Sequence, residues 1–102
     1  MMKQNSTAHI QTLSGEWMLA RDPQNTGKAN KWFLEKLIEG SEKAEVPGII
    51  QQTFPDYHGV VWYSLSFIPQ IIFKEDNMYF LKFSYVDYYS EIWLNGIYFG
   101  NH

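Results

Sequence analysis

The 102-residue chain has 45% hydrophobic residues, 18% aromatic residues and a net charge of −3, a composition that excludes a disordered polypeptide. Its eight Lys and Arg residues form no run, so neither nucleic acid nor an anionic membrane is expected as a partner. Cysteine is absent, which removes disulfides and thiolate metal sites, and no stretch approaches the roughly 20 apolar residues that span a bilayer.

In chain order, residues 1–12 read as a polar, flexible tail without the apolar core of a signal peptide. Residues 13–102 read as one partial β-sandwich domain. "GEWMLARD" (Gly15 to Asp22) alternates as a strand, with Trp17 and Leu19 on one face and Met18 and Ala20 on the other. "KWFLEKLIEG" spaces Phe33, Leu34, Leu37 and Ile38 as a short helix would, with Asn30 as a cap and Gly40 as a stop. "AEVPGII" is a short extended piece ending in the turn dipeptide Pro47-Gly48.

"VVWYSLSFIP" is the clearest strand, placing Tyr63, Leu65 and Phe67 opposite Trp62, Ser64 and Ser66. After the turn "KEDN", "MYFLKFSYV" alternates again, with Leu81 and Phe83 opposite Phe80 and Lys82. The last segment, "EIWLNGIYFGNH", is a hairpin around Asn95-Gly96, because a tight two-residue turn wants positive φ at both central positions. About six short antiparallel strands with at most one short helix predict a β-sandwich; a jelly roll takes about eight, so the expected fold is an incomplete jelly roll with two or three strands missing beyond His102.

Four pieces in order carry a family resemblance: "LSGEW", "VPG", "YHGVVWYSLSFIP" and "LKFSYVDYYSEIWLNGIYFGNH". Together they resemble the N-terminal, galactose-binding-like sugar-binding domain of family-2 glycoside hydrolases, the group containing β-galactosidases, β-glucuronidases and β-mannosidases. The resemblance implies a truncated domain whose parent cleaves terminal β-glycosidic bonds with retention, using two Glu residues on a barrel that this chain does not include. It implies a carbohydrate substrate and C-terminal domains of the same polypeptide as partners, a homo-oligomer as an option, and no cofactor.

No catalytic residue carries over, because none of Glu16, Asp22, Asp56, Asp87 or Glu91 matches the family's catalytic motifs, and each reads as a solvated loop or strand-edge carboxylate. His9, His58 and His102 are too far apart for a metal motif, so no metal is expected. The binding candidate is "FPDYHG", where Asp56, Tyr57 and His58 offer a charged acceptor, an aromatic face and a donor to sugar hydroxyls. The plainer reading takes precedence: Tyr57 packs under the sandwich and Asp56 and His58 shape a turn, since one loop without neighbours seldom makes a site.

Trp17, Trp32, Trp62 and Trp93 pose the same choice between an exposed sugar-stacking row and core or interdomain packing, and packing is the expectation. Two other functions stay open at this point. A free-standing carbohydrate-binding module would bind an oligosaccharide saturably, whereas a structural β-domain for subunit contacts would bind none and form defined oligomers.

Overall fold

The structure is a computed structural model, described over residues 12–68, 79–86 and 89–102. Residues 1–11 of the expected tail, His9 among them, together with Asp87 and the "KEDN" turn, lie outside those residues. Six strands form one antiparallel sheet: β1 (Gly15–Asp22), β2 (Glu42–Val46), β3 (Val60–Phe67), β4 (Tyr79–Val86), β5 (Tyr89–Leu94) and β6 (Ile97–Asn101). Their order is β2-β1-β3-β4-β5-β6, so β2 folds back beside β1 and the chain then crosses to β1's other side. Every strand read from alternation is present.

The β5–β6 hairpin turns at Asn95 (φ 52) and Gly96 (φ 82), both in the left-handed region that such a turn requires. The Asn95 side-chain carbonyl accepts a 2.8 Å bond from the Phe80 amide, and the Asn95 amide donates to the Phe80 carbonyl at 2.8 Å, tying the turn to β4.

Register fixes which side chains share a face. Leu19 lies opposite Tyr63, Tyr63 opposite Phe83 and Phe83 opposite Ile92, so these residues project to the same side. Ala20, Trp62 and Ser84 form the parallel row on the other side. The first side is apolar and aromatic along β3 and β4 and, apart from Arg21 and Ser90, along β1 and β5. The second, apart from Ala20, Trp62 and Trp93, carries the buried polar residues Asp22, Ser64, Lys82 and Ser84.

Each side has its own core. On the first, Leu19, Ala44, Phe54 and Val61 are buried, with Ile50 and Tyr57 of the segment after β2 packed over them. On the second, Ala20, Ile38, Trp62 and Trp93 are buried, with Trp32 and Phe33 packed against them. The Trp62 and Trp93 rings stack at 4.9 Å, and Phe33 stacks on Trp93 at 5.2 Å. Trp17 is also buried and Trp32 is half-buried, so the tryptophans pack rather than forming an exposed row.

The helix expected over "KWFLEKLIEG" is absent; a single 3-10 turn, Trp32–Leu34, stands in its place. Lys31 precedes it in the left-handed region, Glu35 follows it in an extended conformation, and no side chain caps it. Helical spacing would have put Leu34 and Leu37 to use on the buried stripe, yet they are 61% and 60% exposed. The segment instead runs irregularly across the second face, setting Trp32, Phe33 and Ile38 on the tryptophans. Packing on the sheet overrides the local helical pattern here.

Beyond the reach of Ile50 and Tyr57, the first face is only partly covered: Leu65, Phe67, Leu81, Ile92 and Leu94 are each half-buried. A mostly antiparallel sheet with one apolar side left open is consistent with a fragment of a β-sandwich.

Candidate functional site

The loop joining β2 to β3 starts with a 3-10 turn, Ile50–Gln52, and is folded by backbone bonds from the Phe54 amide to the Ile50 carbonyl (2.9 Å) and from the Tyr57 amide to the Phe54 carbonyl (3.1 Å). Phe54 is buried, the Arg21 guanidinium lies 4.3 Å above its ring, and Tyr57 meets it edge-on at 6.4 Å. Tyr57 is pinned at both ends. Its hydroxyl donates to the Val60 carbonyl at 2.7 Å, and its own carbonyl accepts from Gln51 Nε2 at 2.7 Å.

Asp56 is exposed at φ 64, the left-handed conformation of a turn, and His58 is exposed beside the half-buried Tyr57. The fold therefore brings Tyr57 and His58, but not Asp56, to the wall of a recess of about 550 Å³. Gly48, Gln51, Tyr63 and Tyr85 also line it. Burial pushes the phenols of Tyr57 and Tyr63 above the usual tyrosine range, so both stay protonated donors well past neutral pH.

Gln51, Tyr63 and Tyr85 are recess residues that the loop motif does not reveal, because they come from a different turn and from two strands. The available signal was the alternation of β3 and β4, which sets both tyrosines on the apolar side. The wall offers phenol edges, an amide and an imidazole, a donor-rich aromatic surface without a nucleophile-base pair.

One carboxylate departs from its expected place. Asp22 is only 1% exposed, not solvated. Its Oδ1 accepts from the Thr26 amide (2.8 Å), and its Oδ2 accepts from the Gly27 amide (2.8 Å) and the Trp62 indole (3.0 Å). These three N–H donors, with the Thr26 hydroxyl at 3.5 Å from Oδ1, compensate for the desolvation of the side chain. Glu91 is paired with Lys28 at 2.7 Å and accepts from the Tyr98 hydroxyl at 3.4 Å. Both groups organise the second face. Among the described residues, no three His, Asp or Glu side chains converge as a metal site would require.

Over 104 aligned positions, 98% of this chain is 31% identical to a β-glucuronidase of Paenibacillus borealis. Its homologues are β-glucuronidases. The solved structure of a β-glucuronidase from an uncultured Clostridium sp. superposes with a TM-score of 0.63 at 30% identity, over 90% of this chain. The chain spans 17% of the length of each of these relatives. No protein-family model matches it. The likeness therefore extends through the recess loop and both cores, and it concerns one small part of a much longer glycosidase.

Proposed function

We propose that this chain is a non-catalytic sugar-binding segment of a retaining family-2 glycoside hydrolase that acts on terminal β-glycosidic bonds. The observation that carries the proposal is the match of 98% of the chain to 17% of a β-glucuronidase. Retaining hydrolysis needs two carboxyl groups about 5–5.5 Å apart. Asp22 and Glu91 are instead engaged with the protein's own donors.

The role left to this segment is to contribute polar and aromatic contacts to carbohydrate. Tyr57 and His58 on the recess wall are the residues proposed for it, with Gln51 beside them. Asp56 sits outside that wall and serves as an acceptor only for a ligand extending past the loop.

The test is calorimetric titration of the chain with methyl β-glucuronide, together with an assay on a chromogenic β-glucuronide. Saturable binding that is weakened at least tenfold by His58→Ala, with no turnover, supports the proposal. Turnover by this chain, or binding untouched by His58→Ala and Gln51→Ala, overturns it.

A further inference from the structure

A groove of about 380 Å³ lies on the second face, between the 32–38 segment and the β5–β6 turn. Phe33, Leu34 and Phe80 supply its apolar surface, while Glu35, Lys36 and Asn95 bring a carboxylate, an ammonium and an amide to it. It lies across the sheet from the recess that holds His58 and shares no residue with it.

Both walls of the groove are held by the chain's own contacts. Phe33 has one face stacked on Trp93 at 5.2 Å, and a Cβ on Gly96 would lie 2.6 Å from Leu34 Cδ2, so the segment and the turn meet closely at one end. The Lys36 carbonyl accepts from the buried Lys82 amine at 3.4 Å, which ties the backbone of that wall to β4. Its ammonium stands 5.5 Å from the centre of the Phe80 ring, near the outer limit of a cation–π contact. Asn95 Oδ1 is occupied by the Phe80 amide at 2.8 Å, which fixes the plane of the side-chain amide and makes Nδ2 the donor it brings to a ligand.

We propose that this groove is a second carbohydrate site, taking one neutral pyranose ring. Its volume falls in the roughly 300–1,000 Å³ of small-molecule sites, and an apolar lining with a few polar groups is their usual make-up. The polar groups decide the class of ligand. Ionised Glu35 only accepts hydrogen bonds, Lys36 and Asn95 Nδ2 only donate them, and a sugar hydroxyl does both, so a polyhydroxylated ring pairs with all three. A carboxylate ligand would gain Lys36 but meet Glu35, and an ammonium ligand the reverse, so neither net charge is favoured. The rings of Phe33 and Phe80 suit the C–H face of a pyranose, which replaces the loosely held Lys36 ammonium over Phe80. The inference does not rest on the recess reading, since it concerns the other side of the sheet and different polar groups.

The test is a titration of the full 102-residue chain, labelled with nitrogen-15, with methyl β-D-glucopyranoside, followed by amide NMR. Saturable shifts are expected for the Gly96 backbone signal and for the Asn95 side-chain amide. Asn95→Asp keeps the acceptor for the Phe80 amide and removes the Nδ2 donor, whereas Lys36→Met removes an exposed ammonium away from the turn and keeps a stem of similar length. Weakening of about fivefold in either variant, the loss of one hydrogen bond, supports the site, provided the remaining amide signals show that the sheet is intact. No saturable shift at Gly96, or an affinity untouched by both substitutions, overturns it. Shifts confined to Gly59, on the recess loop, overturn this site while leaving the recess reading intact.

Discussion

Asp22 and Trp62, forty positions apart, are joined by a 3.0 Å hydrogen bond from the indole Nε1 to the carboxylate Oδ2. The same oxygen accepts from the Gly27 amide, so a single buried carboxylate fastens the end of β1, the following loop and the centre of β3. That junction lets the long 23–41 segment leave the sheet edge and return across the second face. Removing the carboxylate would leave a buried N–H on the loop and another on the ring, each costing about 1–3 kcal/mol.

Asp22→Ala is therefore expected to lower stability by about 3 kcal/mol, measured by urea unfolding of the Trp fluorescence. Trp62→Phe, which removes one donor and keeps most of the ring, should cost only about half of that. A change under 0.5 kcal/mol for Asp22→Ala would mean that the junction does not hold the loop.

Gly27 tests the same junction by steric means. A Cβ there would sit 2.6 Å from Trp62 Nε1 and 2.8 Å from Asp22 Oδ2, inside van der Waals contact with groups that are both held in place. Gly27→Ala should destabilise by about 1–3 kcal/mol, despite alanine's smaller loss of chain entropy on folding. Gly40→Ala is the contrast: no atom lies within 4 Å of its Cβ, and its φ of +83 leaves only a backbone cost of about 1 kcal/mol. Thermal melts of the two variants should rank them in that order.

Trp93 is 4% exposed and stacks between Trp62 and Phe33. Trp93→Ala should cost about 3–5 kcal/mol, the range for deleting a buried large aromatic. It should also abolish the exciton signal of the Trp pair in the far-ultraviolet circular dichroism spectrum. Retention of both stability and signal would place the ring outside the core.

Lys82 gives a pH-dependent prediction. Burial pushes its amine below the usual lysine range, only partly offset by the charge of Glu35, and it donates a long bond, 3.4 Å, to the Lys36 carbonyl. Between the lowered folded value and the ordinary unfolded one, the unfolded chain binds a proton that the folded chain does not. Stability therefore rises with pH across that window. Lys82→Met should flatten the rise and stabilise the protein near neutral pH by about 1 kcal/mol. Denaturant titrations of both proteins at neutral and alkaline pH measure the difference directly; an equal slope in the two would remove Lys82 as its source.

The strands and their faces could be read in advance because both are set by neighbours close in sequence. Alternation along β1, β3 and β4 assigns each side chain to a side, and Asn95-Gly96 fixes the last hairpin by backbone chemistry alone. The loop carrying Tyr57 and His58 was equally visible, as was the likeness to glycosidases spread over the four quoted segments.

Which side of the sheet is covered, and by what, depended on contacts between distant residues. Asp22 looked like a solvated strand end until β3 placed the Trp62 indole against it, and "KWFLEKLIEG" kept its helical spacing but not a helix once Trp32, Phe33 and Ile38 had a sheet to pack on. Gln51, Tyr63 and Tyr85 joined the loop in one recess only through the order of the strands. The local pattern specified two faces; only the path of the connecting segments decided that the polar one is sealed and the apolar one stays open.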